Sequence, residues 1–251
     1  MSTVVLITGA NRGIGKGLLE RYLQLPNHTV IAANRNPDHA TSKELSKLPT
    51  AKGTTLIVVK IDARIWQDAF TAVETLQTDH NVKHIDIVIA NAGVAYCYPT
   101  VAELKEADFA AHIEPNVYGV VSLYQAVRPL LQNSTKEPIF TTMGSTAGSL
   151  NTRLPFPNAA YGPSKAAAAW LIIQINAEEE WLHSFALVPG WVHTDLGDGG
   201  AVAFKVDQAT VNNMMIEVGT SCDGMMEVLS DTSKAKHGGK LALYDGNTIP
   251  W

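Results

Sequence analysis

The chain of 251 residues carries 19 basic and 24 acidic side chains, a net charge of −5, and is 46% apolar and 17% charged. The apolar share argues against wholesale disorder, and an acidic balance with no basic tract argues against a nucleic-acid partner. Two well-separated cysteines, Cys97 and Cys222, argue against a disulfide framework or a cysteine zinc site.

In chain order, residues 4–8 read as a strand and 13–25 as a helix. A strand at 29–33, a strand at 55–61 and a helix at 65–78 follow. Then come a strand at 85–90, helices at 101–112 and 116–132, and a strand at 138–142. A long helix at 159–182, a strand at 184–188, a helix at 206–229 and a strand at 240–244 complete the pattern. Most strands are continuously apolar, as both faces of a parallel sheet require when helices cover them. The alternation predicts an α/β fold: one doubly wound domain over residues 1–251, with a seven-stranded parallel sheet flanked by helices on both faces. Ligands in such sheets bind beyond the C-terminal strand ends. The most loop-like stretches are 149–158 and 196–203. The longest purely apolar run, 166–173, is too short to cross a bilayer. The chain enters its first strand without the basic and apolar regions of a secretory leader, so a cytoplasmic setting and no membrane partner are expected.

Thr8-Gly9-Ala10-Asn11-Arg12-Gly13-Ile14-Gly15 joins the first strand to the first helix. Glycines let backbone approach a pyrophosphate, and the helix start offers N–H groups and partial positive charge. This predicts a Rossmann-type fold and a dinucleotide ligand; the alternative is a glycine-rich turn that holds no ligand. The second strand ends Asn34-Arg35, without the acidic residue that would hold a ribose 2′-hydroxyl. Arg35, with Arg12, is placed to clamp a 2′-phosphate, which predicts NADP(H); the alternative is a solvated loop charge. Asp62, after the third strand, either accepts from the adenine amino group or caps the next helix.

Tyr161-Gly-Pro-Ser-Lys165 puts a phenol and an ammonium on one helical face. The cation is expected to lower the phenol pKa from its ordinary value near 10 and so fit it for acid–base work. Ser145, just past a strand, is placed to hydrogen-bond a carbonyl oxygen, unless it is only a turn residue. Asn116 either holds a water that relays protons to Lys165 or caps its helix.

Taken together, these motifs resemble the short-chain dehydrogenase/reductase family. The resemblance runs through Asn91-Ala92-Gly93 and Pro189-Gly190-Trp191-Val192-His193-Thr194 and covers nearly the whole chain. The closing Tyr244-Asp245-Gly246 and Ile249-Pro250-Trp251 resemble the small carbonyl-reductase branch, which includes C-factor-like proteins and fungal norsolorinic acid ketoreductases. The resemblance implies a catalytic tetrad of Asn116, Ser145, Tyr161 and Lys165. It implies that Asn91, Ala92 and Gly93 flank the adenine ribose, that Lys165 also binds the nicotinamide ribose, and that Pro189, Gly190, Val192 and Thr194 hold the nicotinamide end. NADPH would deliver hydride to a carbonyl carbon while Tyr161 protonates the oxygen. Two departures stand out. The interval from Ser145 to Tyr161 is a few residues longer than usual, with Arg153-Leu154-Pro155-Phe156-Pro157 inside it. Asn34 replaces a small residue and could bond a ribose hydroxyl, which leaves dual cofactor use open.

Candidate substrate-wall residues are Val94, Ala95, Tyr96, Leu150, Phe156, Trp191, Leu196 and Phe204; their large aromatics suit a bulky apolar or aromatic ketone. The helices at 116–132 and 159–182 are apolar nearly all round, which predicts a homo-oligomer built through them. His80 and His84 lack a third ligand, so no metal is expected. His193 has no evident partner, and Glu178-Glu179-Glu180 reads as a solvated helix end. The competing function is a redox sensor that binds NADP(H) without catalysis.

Overall fold

Strand β1 (Thr3–Thr8) is buried from residue 4 onward, as continuous β-branched and aliphatic side chains between two helical layers demand. This computed structural model describes residues 2–151 and 154–251, so Arg153 lies outside the described residues. After β1 come α1 (Gly13–Leu23), β2 (His28–Asn34), the short α2 (Ala40–Lys43), β3 (Thr55–Lys60), α3 (Trp66–Thr78) and β4 (Ile87–Ala90). The middle of the chain forms α4 (Glu106–Ile113), α5 (Gly119–Gln132), β5 (Ile139–Met143), α6 (Tyr161–Glu178) and β6 (His183–Val188). The last part holds β7 (Trp191–Val192), α7 (Asp195–Ala203), α8 (Gln208–Met214), β8 (Met215–Ile216), α9 (Val218–Ser230), α10 (Lys234–His237), β9 (Leu241–Leu243) and β10 (Thr248–Ile249).

The main sheet runs β10-β9-β6-β5-β4-β1-β2-β3 and has eight strands. The seven expected strands are parallel; the eighth, β10, is antiparallel to β9 and corrects the sequence-based count. Gly246, at φ +84°, allows the tight reversal between them. The order reverses between β1 and β4, which opens a crevice at their C-terminal ends.

One core packs α3, α5 and α6 on one face of the sheet, through Ala69, Leu76, Leu123, Val127, Leu130 and Ile172. The other packs α1 and α9 on the opposite face, through Leu18, Leu19, Tyr22, Cys222, Met225 and Val228. Among the described residues no helix is long and apolar enough to cross a membrane.

Three helices differ from expectation. The one expected at 101–112 begins at Glu106, because Thr100 and Glu103 bond each other in a turn before it. The one expected to open at Asn116 instead continues from α4 through a π turn, Glu114–Tyr118, into α5. The one expected over 206–229 breaks at Met215–Ile216, which pair with Trp191–Val192 as a separate two-stranded sheet. The acidic run is not wholly solvated either: Glu179 accepts from Arg128, Tyr124 and Trp181 and ties the end of α6 to α5.

Candidate active site

The glycine loop is built by backbone conformations that side chains resist. Gly9 and Gly13 sit at φ +63° and +52°. A Cβ on Gly15 would lie 2.3 Å from the Gly9 carbonyl oxygen, so the loop lies flat against the first turn of α1. Arg12 precedes that turn and no side chain caps it, so the N–H groups of the helix start are presented to the crevice with Ile14 in the first turn. Asn34 is fully buried under the loop, where its Oδ1 accepts from Ala10 N at 2.9 Å. Asn91 Nδ2 donates to Thr8 O at 2.8 Å, and Ala92 N donates to Thr8 Oγ1 at 2.9 Å, so the turn after β4 braces the same loop. This cradle, one that a Cβ would fill, fits a dinucleotide pyrophosphate.

Around the cradle stand three cations. Arg12 pairs with Asp195 at 2.7 Å, and Asn11 Nδ2 donates to Thr41 Oγ1 at 2.6 Å. Arg35 is exposed and makes no ion pair among the described residues. Arg64, which the sequence reading did not single out, holds Asp62 at 2.6 Å. Asp62 therefore does not cap α3: the cap position is Ile65, and the Asp62 carboxyl is held below the usual carboxylate range mainly by hydrogen bonds from Arg64.

On the other side of the crevice, Gly190 turns at φ +83° after Pro189, whose carbonyl accepts from Ser221 Oγ at 2.6 Å. Val192 is buried in β7, and Thr194 Oγ1 accepts from Gly197 N to cap α7. Thr194 also faces Gly13: a Cβ there would sit 3.4 Å from its Cγ2, so this segment closes over the glycine loop. His193 does have a partner, Asp198 at 2.8 Å.

Asn116, Ser145, Tyr161 and Lys165 converge at the C-terminal ends of β4 and β5. Asn116 lies in the π turn, a feature that often re-aims side chains at functional sites. Its Oδ1 accepts from Val94 N at 2.8 Å, and its Nδ2 donates to Val94 O and Ser164 Oγ, each at 2.9 Å. Asn116 is thus neither a helix cap nor solvated. Lys165 is buried, donates from Nζ to Met143 O at 2.9 Å, and lies 5.7 Å from the Tyr161 ring centroid. A Cβ on Gly93 would be 3.5 Å from Nζ, so the glycine keeps this side of the ammonium open.

Electrostatics here follow burial. Desolvation pulls Lys165 down to about 8 and pushes Tyr161 up to about 12, with a hydrogen bond involving Ser145 opposing the latter. The expected lowering of the phenol by Lys165 is therefore not what this environment produces: burial raises it, and the opposing influence is the hydrogen bond with Ser145 rather than the ammonium. Ser145 and Tyr161 together offer two hydroxyls to one acceptor, which is the arrangement that polarises and protonates a carbonyl oxygen.

The expected substrate wall is brought together in part. Phe156 stacks on Phe204 at 4.4 Å, and Tyr98, absent from the sequence-based set, meets Phe204 edge-on at 4.6 Å. Of the three, Tyr98 also interacts electrostatically with Tyr161. Trp191 Nε1 donates to Gly197 O and fixes the start of α7, while Leu196 stands on its exposed side. Val94 and Ala95 lie on the half-buried loop after β4. Two residues stand apart from the trio. Tyr96 is 58% exposed against His112, and Leu150 is 86% exposed beside the chain end, where Asn151 N donates to Trp251 O. The signal for Tyr98 was present as a second aromatic two positions after Tyr96 in the same loop.

The model of the short chain dehydrogenase family matches residues 3–199. A norsolorinic acid ketoreductase, nor1 of Dothistroma septosporum, is 39% identical over 254 residues, covering 99% of this chain and 92% of its own. Another, from Aspergillus parasiticus, is 37% identical over 253 residues, covering 99% of this chain and 91% of its own. Among solved structures, the NADPH-bound carbonyl reductase from chicken fatty liver aligns with a TM-score of 0.86 at 27% identity, with 100% of both chains covered. The glycine cradle at a topological switch point and the Tyr161–Lys165 face thus sit in a known framework, and the chain belongs to the short chain dehydrogenase family. It is an oxidoreductase that acts between a carbonyl and a CH–OH group with a nicotinamide cofactor.

Proposed function

We propose that this chain is an NADPH-dependent ketoreductase that reduces a bulky apolar or aromatic ketone, of the polyketide-derived kind, to an alcohol. The observation that carries the reading is the hydrogen-bonded pair of Ser145 and Tyr161 with Lys165 Nζ 5.7 Å from the Tyr161 ring, together with the aromatic cluster of Tyr98, Phe156 and Phe204. The names of the ketoreductase relatives and the NADPH-bound neighbour support it.

When bound, the cofactor supplies hydride. The glycine loop and the start of α1 hold its pyrophosphate, Arg35 meets its 2′-phosphate, Asn91 to Gly93 flank its adenine ribose, and Pro189 to Thr194 its nicotinamide end. Ser145 orients the substrate oxygen by hydrogen bonding, and Tyr161 donates the proton as the oxygen gains charge. Lys165, held by Met143 O, stabilises the phenolate that remains. Asn116 keeps Val94 and α6 in register with these groups. The aromatic trio excludes water from the face where the ketone lies. The whole acts as one domain in the cytoplasm, and copies associate through α5 and α6, where Trp170 stands 60% exposed.

The test is Tyr161→Phe. Reduced-nicotinamide absorbance should be consumed with aromatic ketones by the wild type and about 10³-fold more slowly by the variant, with cofactor affinity retained. Full activity in the variant overturns the mechanism. Tight NADPH binding without turnover on any carbonyl points to the sensor instead. Light scattering that returns only a 27.0 kDa species overturns the oligomer.

A further inference from the structure

We propose that Arg64 sets the dinucleotide preference of this chain by cancelling the charge of Asp62, so that the ends of β2 and β3 present net positive charge to a 2′-phosphate. The inference rests on the reading that the cofactor is NADPH.

Asp62 follows β3, and its side chain is 8% exposed. Its Oδ1 accepts from the Arg64 backbone N at 3.1 Å and from Nε at 3.0 Å, and its Oδ2 accepts from Nη2 at 2.6 Å. The fork of the guanidinium and the turn of the chain thus close on the same carboxylate, a bidentate geometry that a lysine could not supply. The neighbouring strand end is tied to this one by Ile61 N donating to Asn34 O at 3.0 Å, and Arg35 follows directly. Arg35 interacts electrostatically with Asp62 but is not bonded to it.

The local charges then decide the sign. Arg35 and Arg64 against Asp62 leave one net positive charge. Lys60 and Asp68 pair at 3.1 Å and cancel. Glu114 is the weakest of the influences on Arg64 and does not offset that balance. With Arg64 removed, Arg35 and Asp62 cancel, and a phosphate dianion approaches a nearly buried carboxylate with no net attraction. Asp62 stands after β3 and not at the end of β2, where an acid would hold a ribose 2′-hydroxyl, so its effect on a phosphate beside Arg35 is that of a nearby charge. Arg64 is therefore a positioning and charge-balancing residue rather than a catalytic one.

The experiment titrates cofactor-free protein with 2′,5′-ADP and with 5′-AMP by calorimetry. The wild type should bind 2′,5′-ADP at least about tenfold more tightly than 5′-AMP, and Arg64→Gln should lose about that factor for 2′,5′-ADP with 5′-AMP little changed. The double variant Asp62→Asn, Arg64→Gln should recover most of the loss. The amide oxygen it places at position 62 still accepts from the backbone N of residue 64, while the adverse charge is gone. Equal loss for both ligands in Arg64→Gln would assign Arg64 to the adenine and overturn the proposal, as would no loss at all. A double variant no better than the single one would place Arg64 on the phosphate itself and also overturn it. A wild type that does not prefer 2′,5′-ADP would instead overturn the NADPH reading on which the proposal stands.

Discussion

Asn116 Nδ2 donates to Ser164 Oγ across 2.9 Å, joining the π turn before α5 to α6 at the residue next to Lys165. Because the same amide also holds both backbone groups of Val94, Asn116→Ala strips partners from several buried polar atoms at once. Each such orphan costs about 1–3 kcal/mol. Urea unfolding should show the variant destabilised by about 2–4 kcal/mol, with kcat reduced more than substrate KM is raised.

The ionisations of Lys165 and Tyr161 are pushed apart, which separates their signatures in pH. Lys165 titrates near 8 in the fold against 10.5 for a free lysine, so between those values the unfolded chain binds the extra proton. Its contribution to stability therefore rises with pH over that window, and the full burial penalty is present below it. Tyr161 has the opposite sense: at about 12 against 10, it retains its proton in the fold and its contribution falls as pH rises through that range. In the reductive direction kcat/KM should fall with an apparent pKa near 8, since Lys165 discharges while Tyr161 remains protonated. Lys165→Arg should move that limb to higher pH in a rate profile.

Two glycines should respond oppositely to alanine. At Gly15 the new Cβ would meet the Gly9 carbonyl oxygen at 2.3 Å, whereas at Gly199, inside α7, it meets nothing within 4 Å. Gly15→Ala should lower the melting temperature and abolish dinucleotide binding in a fluorescence titration. Gly199→Ala should leave binding unchanged and gain up to about 1 kcal/mol from helix propensity.

Phe204 touches both Phe156 and Tyr98, so it is the keystone of the aromatic wall. Phe204→Ala removes contacts worth about 0.5–1.5 kcal/mol each beyond buried area. KM for a fused-ring ketone should rise about tenfold, while KM for a small aliphatic ketone stays within about twofold. Equal effects on the two would remove Phe204 from the substrate wall.

What could be read from the amino-acid order depended on how local its cause was. The glycine loop was legible because Gly9, Gly13 and Gly15 serve a turn that neighbours in sequence define. The Tyr161–Lys165 pair was legible because one helical turn defines it. The break at Met215–Ile216 was not, since these residues keep an apolar helical rhythm and leave it only to pair with Trp191–Val192 in the folded chain. The π turn at Asn116 was hidden for a related reason: one extra residue in a helix barely disturbs its periodicity. Arg64 was visible as a basic residue two positions after Asp62, but its bond to that carboxylate depends on the loop's conformation. Asn34 was read for its reach toward a ribose, yet its burial turns the amide inward to Ala10.

The antiparallel pairing of β10 has a consequence for how the sheet ends. On that border the outermost strand is two residues long and reversed in direction, whereas on the opposite border β3 offers six residues of parallel ladder. Lateral recruitment of an extended chain needs a long unpaired row of N–H and C=O groups. The sheet therefore has one blunted margin and one open one. Partial unfolding that strips cover from Thr55–Lys60 is where strand-by-strand association would begin.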